Sequence, residues 1–465
     1  MPDKSTILQE IVDNRRGHLD GIRKRLAHVD LNALEPSTRS LFDSLQGTNR
    51  FIMECKSASP SLGLIRAEYN PGSIARVYSR YAAGISVLCE PDRFGGDYDH
   101  LATVAMSTHL PVLCKDFIID PIQVYAARYF GADAILLMMS IVDDDTYAQL
   151  KALADSLGLD VLTEAITAEE VQRAVNFGVD IIGINNRNLH DLSIDLDRTA
   201  NLGHAVPASK VVVSESGIRD NPTVRRLGAH ANAFLVGSQL TGQPDVDKAA
   251  RTLVFGPNKV CGLTSPRAAQ AARAAGAVYG GLIFEEKSPR NVSRETAQEI
   301  IKGEPGLDYV AVSRRTEGWG ELALEGIGAL QVHAPYQGST AAEIALIGKV
   351  RAAAGEREVW RAIDMTAPHA ADTAVALAPH VDMLVLDTGA GGTGHAFDWA
   401  TIPQEVKGKT LLAGGLNPGN LNEALQAGTR GLDLNSGVEA WPGHKDSGLL
   451  RQAFTIIRNF THPAH

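Results

Sequence analysis

The feature of this chain that most limits its fold is an alternation of short apolar runs with longer segments of helical spacing, which begins near residue 50. Segments with apolar residues at helical intervals include Pro121–Phe130, Asp144–Leu157 and Ala168–Phe177. Runs of strand length occur near residues 50–56, 84–89, 111–115, 133–138, 160–164, 180–185, 211–215 and 232–237. Eight strands that alternate with helices over about 200 residues predict a closed (β/α)8 barrel rather than an open sheet.

The same alternation restarts after residues 247–257, where Phe255-Gly256-Pro257 ends any helix that reaches this point. A second set of strands is predicted near residues 258–261, 278–284, 308–313, 328–333, 357–363, 382–387, 409–414 and 430–435. Because the units share no repeated motif, a solenoid of identical repeats is disfavoured. The sequence therefore predicts an α/β protein with two tandem (β/α)8 TIM barrels, in domains 1–255 and 256–465, with the boundary somewhere from residue 245 to residue 258.

Ahead of the first strand, residues 4–47 have a helical pattern and predict an amino-terminal helical extension of the first barrel. This segment carries a cluster of basic residues, namely Arg15, Arg16, Arg23, Lys24 and Arg25. We interpret the cluster as a solvated helix face, which is the usual place for charges at such spacing. The alternative is a position near an anionic ligand.

Charge and cysteine content limit the partners and the compartment of this chain. The 465 residues carry a net charge of −10, which excludes a general affinity for nucleic acid or anionic membranes. The four cysteines form no CxxC pair, and we expect reduced thiols in the cytoplasm. The histidines show no metal-binding spacing, so neither a metal nor a cofactor is expected. Without a signal-peptide core or a membrane helix of ~18 apolar residues, the sequence predicts a cytoplasmic protein. A monomer is a separate expectation, which no sequence pattern here supports.

Polar side chains follow the predicted strands of the first barrel where each strand ends. Glu54 and Lys56 are two residues apart, so they share one face of the first strand. Later strand ends and the loops after them supply Ser59, Lys115, Glu164, Asn185, Arg187, Glu215, Ser216, Gly217, Gly237 and Ser238. Each residue alone is more often part of an ion pair or a turn. Together, at the rim where such barrels have their active sites, they predict acid–base chemistry beside a phosphate site.

The second barrel ends its first strand at Cys261 and its sixth at Asp387. A thiol and a carboxyl group that face each other across a barrel mouth can act as base and acid. Glycine-rich loops after the sixth, seventh and eighth strands offer N–H groups to a phosphate. A buried apolar cysteine is the ordinary interpretation of Cys261 taken alone, but Asp387 and the glycine loops favour a site.

The motifs of the first barrel resemble those of the indole-3-glycerol-phosphate synthase family over about residues 1–250. They are Glu-x-Lys-x-x-Ser-Pro-Ser at 54–61, Lys-Asp-Phe at 115–117, the Glu at 164, Asn-x-Arg-x-Leu at 185–189 and Ser-Glu-Ser-Gly-Ile at 214–218. This family closes the ring of an anthranilate-derived deoxyribulose phosphate and releases carbon dioxide and water. One departure is Asp97, where the resemblance leads us to expect Ser.

This resemblance implies a role for each residue at the rim. Lys115 would be the general acid that polarises the substrate carbonyl, and Glu164 would accept a proton or assist dehydration together with Lys56. The residues that would orient the substrate and the acids are Glu54, Asn185, Glu215 and Ser216. The phosphate would be held by Lys56, Gly217, Gly237 and Ser238, while Ser59 and Arg187 would contact the substrate.

The motifs of the second barrel resemble phosphoribosylanthranilate isomerase over about residues 256–460. They are Lys-Val-Cys-Gly-Leu-Thr at 259–264, Ser-Pro-Arg at 288–290, Leu-Asp at 386–387, Leu-Leu-Ala-Gly-Gly-Leu at 411–416 and Leu-Asp-Leu-Asn-Ser-Gly-Val-Glu at 432–439. That family performs an Amadori rearrangement. The resemblance implies that Asp387 protonates the furanose ring oxygen and that Cys261 removes the proton from the second sugar carbon. Arg290 would bind the anthranilate carboxylate, and the phosphate would be held by Gly415, Ser436 and Gly437.

The order of the two barrels resembles the fused bifunctional enzyme of bacterial tryptophan synthesis, whose substrates are small phosphorylated anthranilate sugars. In that pathway the isomerase acts first, and its product is the substrate of the synthase. One alternative makes the second barrel an isomerase of histidine synthesis, but that relative would carry Asp as both acid and base, whereas this chain has Cys261. Another is a binding protein that has lost catalysis, which predicts replacements at Lys115, Glu164, Cys261 or Asp387; none is present.

Overall fold

The computed structural model describes residues 6–389 and 396–463, and its chain divides into two compact units. One unit comprises Met1–Ala250 with Thr461–His465, and the other comprises Arg251–Phe460. The helix Val246–Phe255 runs across the division in sequence, so the predicted boundary after residue 255 stays a prediction. No helix within the described ranges has both the length and the mean hydropathy that a membrane crossing needs.

The first unit contains a closed barrel of eight parallel strands, as predicted. In chain order, β1 to β8 are Arg50–Cys55, Gly84–Leu88, Val112–Lys115, Ala134–Met138, Asp160–Ala165, Ile181–Asn185, Val211–Glu215 and Ala233–Val236. Each strand pairs with its neighbours in sequence, and β8 pairs with β1 to close the barrel. The register places Met138 opposite Glu164 and Asn185 opposite Glu215, so polar residues at successive strand ends lie at one rim.

Helices surround this barrel and alternate with its strands. Helix α1 is Ile7–Arg25, and it precedes β1 as the predicted extension. The other helices of the unit are Leu41–Ser44, Pro71–Tyr78, Pro91–Phe94, Tyr98–Ser107, Pro121–Tyr129, Asp144–Ser156, Ala168–Asn176, Asp197–Gly203, Asn221–Leu227 and Ser238–Thr241, with a 3₁₀ turn at Leu31–Ala33. Polar N-caps define several of the starts; for example, the Asp143 side chain accepts a hydrogen bond from the Thr146 N–H.

The second unit repeats the architecture with a second closed barrel of eight parallel strands. Strands β9 to β16 are Lys259–Val260, Tyr279–Ile283, Asp308–Ser313, Ile327–Val332, Glu358–Asp364, Met383–Asp387, Thr410–Leu412 and Gly431–Leu434. Its α-helices are Pro266–Ala275, Arg294–Gly303, Thr340–Ala354, Ala370–Leu377, Leu421–Gln426 and Ser447–Asn459, with 3₁₀ turns at Trp319–Leu322, Ala378–His380, Trp399–Thr401, Gln404–Lys409 and Ser436–Val438. The two tandem barrels predicted from the alternation are therefore confirmed.

Apolar strand residues form the cores of both barrels, because strands covered by helices are buried on both faces. In the first barrel the interior cluster includes Ile52, Leu113 and Leu162, all fully buried. In the second barrel the corresponding cluster includes Val310 and Trp360. Burial of each such side chain contributes roughly 1.5–3 kcal/mol, which favours the closed barrel and leaves the strand ends free to carry polar groups.

Short hairpins extend the loops at the rims. Ala58–Ser59 pairs with Gly63–Leu64 in the loop after β1, and Glu439–Trp441 pairs with His444–Lys445 after β16. Asp97, the departure noted in the sequence, is the N-cap of the helix Tyr98–Ser107, where its side chain accepts a hydrogen bond from the Asp99 N–H. Since Ser and Asp are both good N-cap residues, this departure keeps the local structure that Ser would provide.

The basic cluster on α1 is only partly a solvated face. Arg16, Arg23, Lys24 and Arg25 are exposed, as predicted, but Arg15 is buried, with 2% of its surface accessible. The prediction is wrong for Arg15, because its guanidinium pairs with Asp116, a buried carboxylate that is 101 residues away in sequence. Helical periodicity cannot reveal a partner at that distance along the chain.

Candidate functional site

The carboxyl ends of β1 to β8 surround a cavity of about 490 Å³. Most of the residues that the sequence assigned to this rim line it, namely Glu54, Lys56, Ser59, Lys115, Glu164, Asn185, Arg187, Ser216, Gly217, Gly237 and Ser238. Among the described residues assigned to this site, Glu215 is the one that does not reach the cavity surface. The structure therefore brings together side chains from β1, β3, β5, β6, β7 and β8.

A buried carboxylate shared by two ammonium groups forms the floor of this cavity. The Lys56 Nζ lies 2.7 Å from one oxygen of Glu54, and the Lys115 Nζ lies 2.9 Å from the other. The Ser86 hydroxyl donates to Glu54 as well, at 3.3 Å. Burial alone would raise the pKa of Glu54, but the charges of Lys115 and Lys56 outweigh it and hold that pKa at about 2. Glu54 is therefore ionised at any pH at which the protein works.

The two lysines of this floor differ in acidity. Burial favours the neutral amine at both, but Glu54, Glu215 and Glu164 together raise the pKa of Lys115 above its ordinary value. At Lys56, burial and the charge of Lys115 outweigh the attraction of Glu54, so its pKa is lowered. One carboxylate cannot fully compensate two buried cations. Lys115 is thus a permanent cation, and Lys56 is the stronger proton donor of the two.

Two further glutamates lie on the opposite wall of the barrel interior. Burial raises the pKa of Glu164, while Lys115 and a hydrogen bond with Asn185 oppose the shift. Burial, followed by the charge of Glu164, raises the pKa of Glu215 well above its ordinary value. Glu215 fits only because position 183 is Gly: a Cβ there would collide with its carboxyl oxygen. The raised pKa values favour a proton on this pair, which suits exchange with a substrate.

Small residues shape the end of the cavity where an anionic group can be bound. Ser216 and Gly217 have φ of 65° and 79°, and the Asn186 amide donates to the Ser216 carbonyl at 3.1 Å to hold this turn. A Cβ at position 237 would lie 2.6 Å from a Glu54 oxygen, so Gly237 is needed for the ion network to fit. Successive N–H groups in such turns, together with Lys56, can bind a phosphate.

The sequence did not single out the apolar side of this cavity. It is lined by Phe94, Phe117, Leu136, Met138 and Leu189. The rings of Phe94 and Phe117 pack with their centroids 5.8 Å apart. Apart from Leu136, in the middle of β4, these residues belong to a strand end or to the segment after one, so the rim position was the available signal, although apolar residues there do not stand out from the core.

The second barrel has a larger cavity at the same end of its strands, of about 840 Å³. The predicted residues Cys261, Arg290, Asp387, Gly415 and Ser436 line it. Gly437, the remaining predicted residue, is not among those that line the cavity. It packs on the Leu416 carbonyl, with which a Cβ at this position would collide. Residues 390–395, in the glycine-rich loop assigned to the phosphate, lie outside the described part of the chain.

A fully buried lysine lies beneath the thiol. The Lys259 Nζ donates to Asp433 at 2.7 Å and to Gln331 at 2.8 Å, and it is hydrogen-bonded to Cys261. Burial raises the pKa of the Cys261 thiol, and the Lys259 charge opposes that shift most strongly. Gly281 provides the space, since a Cβ there would lie 2.6 Å from the sulfur. Lys259 is two residues before Cys261, so strand alternation was a signal that the sequence analysis did not use.

The surroundings of Asp387, the carboxyl group across the cavity, raise its pKa. Burial, with a further contribution from the charge of Asp433, raises the pKa of Asp387 to about 6, although the Thr388 N–H opposes the shift. His333 Nε2 lies 4.0 Å from Asp387, and burial, with Lys259 and Arg361, lowers the pKa of this imidazole to about 4. Asp387 is therefore about half-protonated near pH 6 and keeps a protonated fraction at neutral pH, beside an uncharged histidine, as a general acid requires.

Arg290 is held at the rim by a bidentate ion pair. Its guanidinium donates to the Glu439 carboxylate at 2.8–3.2 Å, and the Lys445 Nζ lies 2.8 Å from the same group. Burial favours the neutral acid, but Arg290 and Lys445 hold the pKa of Glu439 below its ordinary value. Two cations and one carboxylate leave one positive charge for an anionic ligand. Arg290 was predicted from its motif, whereas its pairing with Glu439 and Lys445 was not.

Comparison with known proteins assigns each of the two barrels to an enzyme family. Residues 8–253 match the family model of indole-3-glycerol phosphate synthase, and residues 258–455 match that of N-(5′-phosphoribosyl)anthranilate isomerase. The Tryptophan biosynthesis protein TrpCF of Corynebacterium glutamicum is 65% identical over 465 residues, covering 98% of each chain. That of Salmonella typhi is 45% identical over 462 residues, covering 98% of this chain and 100% of its own. A solved isomerase from Thermus thermophilus is 28% identical, with a TM-score of 0.37, over 43% of this chain and 96% of its own.

Proposed function

The chain belongs to the indole-3-glycerol phosphate synthase family in its first barrel and to the phosphoribosylanthranilate isomerase family in its second, and from this premise we propose which side chains perform each reaction. It is a bifunctional enzyme of tryptophan biosynthesis. The second barrel converts N-(5-phosphoribosyl)anthranilate to 1-(2-carboxyphenylamino)-1-deoxyribulose 5-phosphate, and the first closes the indole ring. The observation that carries the assignment of residues is a separate acid–base set at the rim of each barrel.

In the isomerase, Asp387 donates its proton to the furanose ring oxygen. The bond from that oxygen to the first sugar carbon breaks, and the nitrogen lone pair forms an iminium ion. A carboxyl group with a pKa of about 6 is protonated in a useful fraction of molecules and is acidic enough to give up the proton. The neutral His333 beside it does not compete as a base, because its own pKa is about 4.

Cys261 then removes the proton from the second sugar carbon as its thiolate. The electrons of that C–H bond form the carbon–carbon double bond of an enamine, and the iminium electrons return to nitrogen. Tautomerisation of the resulting enol gives the ketone of the product. Lys259 stabilises the thiolate charge in a site where burial opposes it.

The anionic groups of the isomerase substrate are bound by Arg290 and by the loops that follow β15 and β16. Glu439 occupies the Nε and Nη2 edge of Arg290 and fixes the guanidinium, whose remaining N–H groups face the anthranilate carboxylate. The N–H groups near Gly415, Ser436 and Gly437 bind the phosphate; Gly414 and Gly415 have φ of 88° and 66°, which turns the loop tightly at this rim.

In the synthase, the aromatic carbon that bears the carboxylate attacks the substrate carbonyl. Lys115, a permanent cation, polarises that carbonyl and stabilises the negative charge that develops on its oxygen. Loss of carbon dioxide then restores the aromatic ring. Lys56, the more acidic of the two lysines, donates the proton with which the hydroxyl group leaves as water, and Glu164 accepts the proton from the neighbouring CH₂ group.

The remaining residues of the first mouth orient these groups. Glu54 fixes both ammonium groups, and Asn185 and Glu215 support Glu164. Ser59, Arg187 and Ser216 contact the substrate. The phosphate is bound by Lys56 with the N–H groups around Gly217, Gly237 and Ser238, and the anthranilate ring packs on the apolar wall near Phe117.

One assay tests this assignment and its alternative. Purified protein is given N-(5-phosphoribosyl)anthranilate, and both the aminoketose and indole-3-glycerol phosphate are followed with time. The aminoketose should rise first and then decline as the indole product accumulates. The aminoaldose substrate of histidine synthesis is run in parallel, and turnover of that compound alone would support the alternative for the second barrel. The monomeric state, the cytoplasmic location and the domain limits 1–255 and 256–465 stay predictions.

A further inference from the structure

The hairpin that follows β16 carries a lysine whose ammonium group is completely enclosed. The Lys445 side chain is 0% exposed. Its Nζ donates to the Asn435 carbonyl at 3.1 Å, to the Asn435 Oδ1 at 2.9 Å and to the Glu439 Oε1 at 2.8 Å. An ammonium group has three N–H donors, so each of them has an acceptor. Lys445 therefore has no hydrogen bond to offer a ligand, and it acts on the site through Asn435 and Glu439.

Glu439 links Lys445 to the guanidinium that is proposed to bind the anthranilate carboxylate. Its carboxylate accepts from Arg290 Nε at 3.0 and 3.2 Å and from Arg290 Nη2 at 2.8 Å. Glu439 and Lys445 are directly opposite each other on the two strands of the hairpin, where opposite charges attract. Since Arg290 belongs to the loop after β10, these ion pairs connect that loop with the hairpin.

Asn435 links the same ammonium group to the loop that is proposed to bind the phosphate. It comes directly after β16 and directly before Ser436, and it lines the cavity. Because Lys445 bonds both the carbonyl and the side chain of Asn435, the start of this loop is fixed at two points.

Both loops approach the same point beside the thiol. Gly262, which follows Cys261, has a φ of 71°, and a Cβ at this position would lie 2.7 Å from Arg290 Cδ and 2.8 Å from Asn435 Oδ1. The tip of the hairpin is held as well, because the Thr264 hydroxyl donates to the Gly443 carbonyl at 2.6 Å. Lys445 thus joins two loops that already pack closely, and its bonds fix how far apart their ligand-binding groups lie.

We infer that Lys445 is a positioning residue of the isomerase: it holds Arg290, through Glu439, and the loop at Ser436, through Asn435, at the spacing of the two anionic groups of the substrate. The inference rests on the proposed function, in which Arg290 binds the carboxylate and the loop after β16 binds the phosphate. It assigns a function in that reaction to a residue that is not among those lining the cavity.

The first test compares Lys445→Met with Lys302→Met in the full chain. Lys302 is an exposed lysine on the helix Arg294–Gly303 of the same unit. For Lys445→Met we expect the KM of isomerisation to rise about tenfold or more, with kcat changed less than about threefold, because groups that do not react are bound alike in the substrate and the transition state. Lys302→Met should keep both constants. An unchanged KM in Lys445→Met would overturn the inference.

Two features of this variant make the measurement clear. Glu439 keeps Arg290 as a partner in Lys445→Met, so no carboxylate is left buried without a cation. The synthase activity of the same samples controls for the amount of protein. The Lys445 charge also favours the Cys261 thiolate, and an effect exerted there would lower kcat. A lower kcat with an unchanged KM would therefore place the effect of Lys445 at the thiol and overturn the inference.

A double variant separates position from charge. Arg290, Glu439 and Lys445 together carry one positive charge, which Lys445→Met removes. Lys445→Met/Glu439→Gln restores it, because Arg290 is then the one charged member, but the two loops stay untied. We expect the KM of the double variant to remain raised about tenfold or more. Return of KM to the parent value would show that Lys445 acts through its charge alone and would overturn the inference.

Inhibitors of different length test the spacing directly. The product with its ketone reduced to an alcohol carries both anionic groups, whereas inorganic phosphate occupies only the phosphate-binding loop. In Lys445→Met, the inhibition constant of the reduced product against isomerisation should rise about tenfold or more and that of phosphate less than about threefold, because only a ligand that spans both loops depends on the distance between them. An equal rise for both inhibitors would show that Lys445 supports the phosphate-binding loop alone and would overturn the inference.

Arg290→Met is measured in the same series to separate this inference from the function on which it rests. If Arg290→Met keeps the parent KM, the proposed role of Arg290 fails, and the inference fails with it. If Arg290→Met raises KM while Lys445→Met does not, the proposed function stands and only the inference is wrong.

Discussion

The two mouths control their reactive carboxyl groups in opposite ways. In the first barrel, Glu54 is buried between two ammonium groups, and its pKa is held at about 2. In the second barrel, burial with little compensation from nearby cations leaves Asp387 with a pKa of about 6. The same fold thus provides a carboxylate that never takes a proton and a carboxyl group that readily exchanges one.

This difference follows the chemistry of each step. The synthase needs a fixed positive charge at a carbonyl, and Glu54 contributes by keeping two lysines in place. The isomerase needs a proton donor at a ring oxygen, so Asp387 must be able to exist in both forms near neutral pH. The same difference has an energetic side, because a paired carboxylate stabilises the folded state whereas an uncompensated buried one destabilises it.

The largest expected effect tests whether the two mouths are independent. Lys115→Ala should lower indole-3-glycerol phosphate formation about 10³-fold and leave isomerisation within about twofold of the parent, whereas Asp387→Asn should do the reverse. Each residue ends a strand of a different barrel. Steady-state assays of both reactions on both variants measure this. Loss of both activities in either folded variant would contradict two separate sites.

The next effect is on the stability of the first unit. Glu54→Gln removes a carboxylate whose pKa drops from 4.5 to about 2 on folding, so we expect a loss of roughly 3 kcal/mol in the free energy of unfolding at pH 7. Ionised Glu54 contributes this stability above about pH 4.5, and it is lost as the pH falls toward 2. The difference between variant and parent should therefore shrink on acidification.

Unfolding of the first unit can be followed separately, because all four tryptophans, Trp319, Trp360, Trp399 and Trp441, belong to the second unit. A far-UV circular dichroism transition without a matching change in tryptophan fluorescence reports on the first unit. Glu10→Gln, which removes an exposed ion pair with Arg93, is the control and should cost less than about 1 kcal/mol. Equal losses for the two variants would contradict a special role for the buried network.

A smaller effect of opposite sign is expected in the second unit. Asp387→Asn should increase its free energy of unfolding by about 2–3 kcal/mol at pH 7, because the folded state raises the pKa of this group from 3.8 to about 6 and so disfavours its charged form. The cost of Asp387 is absent below about pH 4, where the group is protonated in both states, and is complete above pH 6.

Tryptophan fluorescence during denaturant unfolding at pH 4, 5, 6 and 7 measures this change. The parent should gain stability from pH 7 to pH 5 relative to Asp387→Asn, and the two curves should meet near pH 4. Asp372→Asn, an exposed carboxyl on a helix of the same unit, should change stability by about 0.5 kcal/mol or less. A destabilised Asp387→Asn protein would contradict the expectation that Glu54 stabilises its barrel whereas Asp387 destabilises its own.

The smallest expected effect concerns the cation beneath the thiol. Lys259→Met should move the pH at which Cys261 becomes reactive toward iodoacetamide to a higher value, because Lys259 is the strongest influence that favours the thiolate. The other charged groups that act on the thiol, Asp433 and Lys445, remain in this variant. Alkylation rates of the Cys261 peptide, measured by mass spectrometry from pH 7 to 10, give the shift.

Lys287→Met is the control for this experiment, since Lys287 lines the same cavity but is exposed. Its profile should coincide with that of the parent. A Lys259→Met profile that also coincides with the parent would show that the buried cation does not act on the thiol.

Much of this comparison could be predicted from the sequence, because alternation along strands fixes which residues share a face. The spacing of Glu54 and Lys56 was enough to place both at one rim, and Cys261 and Asp387 likewise end their strands at one cavity. Alternation along a strand does not show whether a residue near the rim lines the cavity or is buried beneath its surface. Glu215 ends a strand and Gly437 begins a loop as expected, yet neither residue lines its cavity.

Partners distant in sequence were beyond prediction. Arg15 has the local pattern of an exposed helix residue, and nothing near it indicates Asp116. The hydrogen bonds of Lys259 to Asp433 and Gln331 likewise join strands that are 72 to 174 residues apart. Such contacts depend on how the barrel closes, whereas local spacing determines only which way a side chain points.

The pairing of Arg15 with Asp116 also sets an order of events during synthesis of the chain. The amino-terminal helix is synthesised first, but its ionic partner follows 101 residues later. At roughly 5–20 residues per second, about 5–20 s of translation separate the two residues. During that interval the guanidinium of Arg15 lacks the carboxylate that neutralises it in the folded protein, so this buried ion pair forms only after the third strand has been made.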